Sequence, residues 1–412
     1  MTNEIKNVPK LRFPEYSEEW EKKRLKDISK INPKLMNEFP SEFDYIDLES
    51  VYKGKINKVS RVTNENAPSR AQRVAQRGDV FFQTVRPYQQ NNFVFLDDRY
   101  STVVSTGYAQ IRSNMNSFYI YNLLLTSTFL NKVLINCTGS NYPAINSNDL
   151  GNISIRISTN ENEKQKIGEF FSKLDRQIEL EEQKLSLLEE QKKGYMQQIF
   201  SQKLRFKNEV GKNYSEWKHE TLNELNCYFT DGNYGESYPK SDDMSNFEEG
   251  VAFLRGSNIK KGRIVLDNAN YISKEKHNEL VSGHLYLGDI VIAVRGSLGA
   301  VGYVEKNIEG QNINSQLAII RTLDTKIVSR FLIYYLMSNF GQKELLSKVS
   351  GTALKQLPLK QIKSFKTPLP ENKEQDKISD FFYKLDKIIN KQIKKIDRLK
   401  LRKKGFLQKM FV

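Results

Sequence analysis

The chain has 412 residues, 38% of them hydrophobic and 27% charged, with a net charge of +15, which is typical of a basic globular protein of two or three domains. The longest apolar runs, such as the one at 331–337, are too short to span a membrane, and the first ten residues carry no signal-peptide pattern. Cys137 and Cys227 are isolated, which excludes a disulfide scaffold and favours a reduced, cytoplasmic protein.

The first half of the chain contains a series of predicted strands and helices that ends in one long helix. A short basic segment comes first, and Gly78-Asp79 then predicts a turn that leads into a buried strand. An amphipathic helix is predicted over 118–134, and a glycine turn follows it. Ser158 or Thr159 is predicted to cap the long helix that runs from Glu161 to Phe200.

The second half repeats these elements in the same order. Lys10–Phe13 is repeated as Lys203–Phe206, and Gly288-Asp289 precedes a second apolar strand. A second amphipathic helix is predicted over 328–346, and a second long helix over 371–411. The loops differ, because the surplus residues of the second half lie around 230–250. The chain is therefore predicted to be a tandem duplication whose two frames carry different surfaces.

The two long helices carry apolar residues at alternating steps of four and three, as a coiled coil requires. The first helix has a net charge of −2 and the second of +7, which favours pairing between them. The alternative is that each helix docks on its own domain. The predicted seam consists of Ile167, Phe171, Leu174, Ile178, Leu185, Leu188, Ile378, Phe382, Leu385, Ile389, Ile396 and Leu399.

The repeat predicts an α+β fold, with two pseudo-symmetric globular domains joined by two long antiparallel coiled-coil helices. The predicted boundaries are 1–158 and 202–369 for the globular domains, and 159–201 and 370–412 for the helical spacers. The order of the elements is that of a closed ring cut once. We therefore expect the two termini to lie close together and the molecule to have a pseudo-twofold axis.

The sequence offers polar loops for binding and little for catalysis. The three histidines and two cysteines lack metal-ligand spacing, and His277 and His284 are predicted to lie on the surface. Basic charge with polar loops on a rigid frame favours a nucleic-acid partner. The candidate DNA-binding residues are Arg86, Tyr88, Gln89, Gln90, Asn91, Asn92, Asn141, Tyr142, Arg255, Asn258, Lys260, Lys261, Arg295, Ser297, Thr352, Lys355 and Gln356.

Two rival interpretations remain open. The first is a coiled-coil adaptor whose basic domains bind a protein or an RNA. The second is a nuclease that uses a weak acidic-lysine pattern, Glu15 to Glu21 with Lys23, which is equally typical of a solvated helix face. Binding of the chain to duplex DNA, and a test for metal-dependent cleavage by the chain alone, discriminate among the three.

The whole chain resembles the specificity subunit of a type I restriction-modification system. The resemblance rests on GDVFF and GDIVI, on the TGS and SGT turns, on PLPENKEQDKI, and on the KLD and KKG motifs of both long helices. The chain departs from the family pattern at Arg86-Pro87-Tyr88, where a glycine is usual after the arginine.

The resemblance implies a non-catalytic subunit with two target recognition domains, each of which reads one half of an asymmetric, bipartite DNA site. It implies two adenine-N6 methyltransferase subunits and ATP-dependent endonuclease subunits as partners. No cofactor is expected on this chain, and S-adenosylmethionine, ATP and Mg²⁺ are expected on the partners. The helices would act as a spacer that sets the half-sites about one turn of DNA apart, ~10 bp.

Overall fold

A computed structural model describes residues 7–35, 38–97, 101–351 and 355–412 of the chain. The chain forms two compact units. The first unit comprises Met1–Gln183 with Ile393–Val412, and the second comprises Lys184–Gln392. Each unit therefore contains one globular part and one end of each long helix. The boundaries predicted from the sequence stay a prediction, since the long helices are shared between the units.

The first unit combines small sheets with short helices around a buried hairpin. Its central sheet has the strand order β2-β11-β8-β9, and all four residues of β8 are buried. The elements are β1 (Glu21–Arg24), α1 (Leu25–Ile28), β2 (Lys30–Ile31), β3 (Glu42–Ile46), β4 (Val51–Tyr52), β5 (Lys55–Ile56), β6 (Ser60–Thr63), β7 (Ala71–Val74), β8 (Val80–Gln83), β9 (Phe93–Val94), β10 (Thr102–Ser105), β11 (Tyr108–Arg112), α2 (Ser117–Leu124), α3 (Ser127–Ile135), α4 (Ser147–Asn152), β12 (Ser154–Ile157) and α5 (Glu161–Phe200).

The second unit repeats that plan with a larger sheet, of strand order β14-β23-β20-β21-β18-β17. Strand β20 is again buried throughout and pairs antiparallel with β23, as β8 pairs with β11. The elements are β13 (Lys218–Thr221), β14 (Tyr228–Asp231), β15 (Met244–Ser245), β16 (Val251–Leu254), β17 (Ile259–Lys260), β18 (Gly262–Ile264), β19 (Asn270–Ile272), α6 (Lys274–Glu279), β20 (Ile290–Ala293), β21 (Val301–Tyr303), β22 (Asn312–Ile313), β23 (Leu317–Arg321), α7 (Ser329–Met337), α8 (Asn339–Ser347), α9 (Leu359–Lys363), β24 (Lys366–Leu369) and α10 (Asn372–Met410).

Within each unit, α5 and α10 lie side by side in opposite directions. In the first unit, Lys403 pairs with Asp175 at 2.6 Å and Lys395 pairs with Glu181 further along α5. In the second unit, Lys192 pairs with Asp386 at 2.7 Å. All twelve predicted seam residues are buried or half-buried. The coiled-coil prediction is confirmed, and the opposite charges of the two helices supply these ion pairs.

Each unit also contains a buried glutamate at the start of a long helix. This glutamate joins the helix to the basic segment with which the globular part of the same unit begins. Glu163, with no exposed surface, accepts hydrogen bonds from Arg12 Nε and Nη2 at 2.6 and 2.8 Å and from Trp20 Nε1 at 3.3 Å. Glu374 repeats this arrangement in the second unit.

Glu374 is also fully buried, and it accepts from Arg205 Nε and Nη2 at 3.1 and 2.7 Å and from Trp217 Nε1 at 2.9 Å. A buried carboxylate is tolerable only when its oxygens are bonded and its charge is paired, and both conditions are met here. We call each set of three residues a glutamate pin.

Within the first unit the segment from residue 7 onward contacts the C-terminal end of α10, as the predicted proximity of the termini requires, while residues 1–6 lie outside the described residues. The backbone N–H of Leu11 donates to the carbonyl oxygen of Lys409 at 2.8 Å. Phe13 packs edge-on against Phe170 of α5, which in turn packs against Phe406 of α10. The pseudo-twofold axis stays a prediction.

Both predictions of a single amphipathic helix were wrong. The helices predicted over 118–134 and 328–346 are each two helices, because Thr126 and Ser338 accept the N–H of a residue three positions on and start a new helix. No single helix in the described ranges has the length and apolarity to cross a membrane; only α2 and α3 taken together, bent by 62°, meet that criterion.

The cap of α5 and the positions of two histidines also differ from expectation. Asn160, rather than Ser158 or Thr159, caps α5, since its Oδ1 accepts the N–H of Asn162 and of Glu163. His277, on the short helix α6, and His284, in the segment after it, are half-buried, and their rings pack against each other with centroids 4.5 Å apart. The Glu21–Lys23 segment lies in strand β1 and is not a helix face.

Candidate nucleic-acid interface

The Gly-Asp turns fix the strands that lead to the candidate loops. Gly78 and Gly288 adopt left-handed φ values of 94° and 89°, which favour glycine. Asp79 then binds Arg112 through both carboxylate oxygens, at 2.7 and 2.8 Å, and thereby joins β8 to β11.

Asp289 binds Arg321 at the same two distances and joins β20 to β23. The hydrogen bonds to these aspartates raise the pKa of both guanidinium groups. We call these two Asp–Arg pairs clamps. Because the two clamps match, the loops that follow β8 and β20 start from frames of the same construction. We call the residues around the end of β8 (86–92 and 138–144) and around the end of β20 (Tyr234 and 295–297) the rim of each unit.

The first rim begins at Arg86, three residues after β8. Its backbone is left-handed with φ 53°, and its N–H donates to Pro143 O at 2.8 Å. The guanidinium lies 4.4 Å from the ring centroid of Tyr142, which is 63% exposed. Tyr88 and Asn141 are also exposed. The structure thus brings loop 86–92 and the glycine turn at 138–144 together.

The amides of loop 86–92 bond mainly within the protein. Gln83 Nε2 donates to Gln89 Oε1 at 2.7 Å, and Asn91 Oδ1 accepts the N–H of Lys53 at 2.9 Å. Gln90 Nε2 donates to a backbone oxygen at 3.2 Å, and Asn92, fully buried, accepts the N–H of Gln83. These amides hold the loop in shape; Tyr88 and Gln89 are its exposed side chains, and Arg86 is half-buried.

The second rim has Arg295 two residues after β20, and both Arg295 and Ser297 are exposed. The Arg295 guanidinium lies 5.3 Å from the ring centroid of Tyr234, whose hydroxyl donates to Ser315 O at 3.1 Å. Burial and the nearby Asp231 carboxylate raise the pKa of Tyr234, although Arg295 opposes the shift. The phenol therefore stays neutral and keeps its hydrogen bond.

The remaining candidates of the second unit lie in two places. Asn258 is buried, and its side chain bonds the backbone of Arg255 and of Val265, so it closes a turn. Arg255 donates to Asn268 O at 3.2 Å, whereas Lys260 is exposed.

The glycine turns of the two units have the same construction. Thr138 bridges Ala144 in the first, and Ser350 bridges Gln356 in the second. Gly139 and Gly351 have φ values of 89° and 90°. In the second turn Lys355 and Gln356 are exposed, and the predicted Thr352 lies outside the described residues.

Sequence reasoning missed Tyr234 and a pair of matching hairpins. The turn Lys53-Gly54 joins β4 to β5, and Lys261-Gly262 joins β17 to β18, with left-handed backbone at all four residues. Lys55 pairs with Glu182 of α5 at 2.6 Å, and Lys261 pairs with Glu189 of α5 at 2.7 Å. The repeated Lys-Gly dipeptide was the available signal. These lysines brace each globular part on α5.

The chain thus has two repeated α+β frames, a pair of long helices and a different rim on each frame. A family model for the type I restriction modification DNA specificity domain matches residues 17–190 and 214–398. The chain belongs to this family, and the resemblance inferred from the sequence is confirmed.

Known proteins resemble the chain over nearly its whole length. The type I restriction enzyme MjaVIII specificity subunit of Methanocaldococcus jannaschii is 24% identical over 98% of this chain and 94% of its own. A solved type I restriction-modification S subunit from M. genitalium covers 98% of this chain and 99% of its own, with 17% identity and a TM-score of 0.61.

A chain from a structure of complex assembly and conformational transition of the type I R-M system covers 95% of this chain and 97% of its own. It has 22% identity and a TM-score of 0.56. At these identities the solved structures support the fold, with its two recognition domains and long helices, and the family match supports DNA recognition by a specificity subunit.

Proposed function

We propose that this chain reads a bipartite, asymmetric DNA site, with one half-site for each unit, and that it directs separate catalytic subunits to that site. The observation that carries the proposal is the repetition of one frame with two different rims. The clamps Asp79–Arg112 and Asp289–Arg321 match atom for atom, whereas the loops around them differ in length and sequence. Two copies of the same frame that carry different rims are suited to recognise two different half-sites.

The subunits that it directs are, in this proposal, two adenine-N6 methyltransferase subunits and ATP-dependent endonuclease subunits. S-adenosylmethionine, ATP and Mg²⁺ would be bound by those partners, and this chain would contribute no catalytic group. The long helices would serve as the spacer between half-sites, at a separation of ~10 bp. The basic charge of +15 supports contacts with phosphates, whose strength falls steeply as the salt concentration rises.

The test is to produce the chain with a type I methyltransferase subunit in a host without its own adenine methylation, and to map methylated adenines by sequencing. The expected result is one motif with two defined parts and an undefined gap. The chain alone and the methyltransferase subunit alone serve as controls. A single continuous motif, or methylation or cleavage by the chain alone, would contradict the proposal.

A second measurement separates DNA recognition from an adaptor function. Filter binding of the chain with its methyltransferase subunit to duplex DNA that carries the mapped motif should weaken as salt rises. Duplex with one half-site scrambled should bind more weakly at every salt concentration. Equal affinity for duplex RNA, or no affinity for DNA, would favour the coiled-coil adaptor instead.

A further inference from the structure

Both rims carry an arginine stacked on a tyrosine, and the two pairs are built differently. Arg86 lies on Tyr142, which comes from the glycine turn. Arg295 lies on Tyr234, which comes from the loop after β14. The matching glycine turn of the second unit, 350–356, has no tyrosine in its sequence. An arginine stacked on a tyrosine therefore occurs after β8 and after β20, although the two tyrosines come from unrelated loops. Common ancestry of the loops does not explain this similarity.

These two arginines differ from the other stacked arginines of the globular parts. Arg205, Arg321 and Arg330 also lie over aromatic rings, but each is paired with a carboxylate, at 2.7, 2.7 and 3.1 Å. Within the described ranges, the side chains of Arg86 and Arg295 have neither a carboxylate partner nor a hydrogen bond. Their charge and their N–H donors stay available for a ligand.

Stacking prepares a guanidinium for one type of contact. A ring that covers one face restricts the rotation of the side chain and leaves the edge, with its fork of N–H donors, free in the plane. The restriction lowers the entropy cost of ordering the side chain when a ligand binds. Arg86 is held further by its left-handed backbone, a strained conformation of the kind found at ligand-binding positions.

An in-plane fork of donors is complementary to two acceptors at one edge of a base, and guanine alone presents O6 and N7 together in the major groove. We propose that each half-site contains a G·C pair, that Arg86 reads the guanine of one and Arg295 the guanine of the other, and that Tyr142 and Tyr234 hold the two guanidinium groups in reading position. This inference rests on the proposed function and specifies its ligand.

The experiment uses the complex of full-length chain and methyltransferase subunit, with adenine methylation mapped for each variant. Arg86→Ala should relax one G·C position in one half-site, with discrimination against the other base pairs lowered ~10-fold or more, and leave the other half-site unchanged. Arg295→Ala should do the same in the other half-site only. Tyr142→Leu should relax the same position as Arg86→Ala by a smaller factor, and Tyr142→Phe, which keeps the ring, by less again.

Arg402→Ala is the matched control, since Arg402 lies over Phe406 on α10 and far along the sequence from either rim. It should leave every position of the motif unchanged. If Arg86→Ala and Arg295→Ala decrease methylation by the same factor at every sequence, the two arginines contact phosphates, and the inference is overturned. A wild-type bipartite motif with no G·C pair in one half would also overturn it while leaving the proposed function intact. If the wild type gives no bipartite motif, the proposed function itself fails.

Discussion

The glutamate pin of the second unit should contribute several kcal/mol to its stability. Replacing Glu374 by glutamine keeps the shape of the side chain but removes its charge and turns one acceptor into a donor. Arg205 would then lose its ion-pair partner at a site where its side chain is only 16% exposed. Removing one partner of a buried ion pair costs ~3–5 kcal/mol. Since Arg205 retains some contact with water, we expect the lower end, ~3 kcal/mol.

The two tryptophans provide a separate probe for each unit. Trp20 and Trp217 are the only tryptophans in the chain, and each donates to the glutamate of its own pin. In a Trp20→Phe background, the fluorescence of Trp217 follows the second unit alone. Urea unfolding of Glu374→Gln in that background should give a clearly lower midpoint. Glu163→Gln in a Trp217→Phe background should do the same for the first unit.

The matched control is an exposed ion pair in the same unit. Glu209 pairs with Lys373 at 3.2 Å, with both side chains more than 70% exposed. Glu209→Gln should therefore cost at most ~1 kcal/mol, as exposed pairs generally do. If Glu374→Gln and Glu209→Gln have the same midpoint, the pins do not stabilise the units and the reasoning is refuted.

Three further predictions concern single residues. Burial and a neighbouring histidine lower the pKa of His277, so the folded chain keeps this ring neutral, whereas the unfolded chain protonates it near the ordinary value of 6.5. The folded chain should therefore lose stability as the pH falls below 6.5, and a His277→Gln variant should lose less stability than the wild type between pH 7.5 and 5.5. Burial raises the pKa of Cys227 to about 12, so a thiol reagent at pH 8 should label Cys137 first, and equal rates would contradict the burial. Gly262→Ala should lower the melting temperature more than Gly211→Ala, because both glycines have left-handed backbone but only at Gly262 would the added methyl group overlap a methionine side chain. Equal decreases in melting temperature would exclude a packing contribution.

The long helices and the buried strands were predictable because their signals are local. Apolar residues at steps of four and three define the helix seam without knowledge of the rest of the chain. Glycine followed by aspartate before an apolar run marks β8 and β20 equally well. The break between α2 and α3 at Thr126 was not predicted. Apolar residues on both sides of Thr126 continue the helical pattern, so the sequence does not show that its hydroxyl caps a new helix.

The pins and the stacked pairs depend on contacts that are distant in sequence. Arg12 meets Glu163 across 151 positions, and no local pattern shows which of many charged residues will be buried. The repeat held a clue, since Glu163 and Glu374 are related by the same shift of 211 as the helix seam. Tyr234 has no counterpart in the first half, so even the repeat could not reveal it. The sequence also could not distinguish Asn258, which closes a buried turn, from an exposed asparagine.

The positions of the pins and clamps explain how two copies of one frame came to carry different rims. Glu163, Glu374, Asp79 and Asp289 lie at helix starts and strand starts, and none of their side-chain partners belongs to a rim loop. A rim loop can therefore change in length or sequence without breaking a buried ion pair, a loss that would cost ~3–5 kcal/mol. The loop that contributes Tyr234 lies in such a lengthened stretch. The frame fixes where the arginine stands, and the loops remain free to supply the ring that covers it.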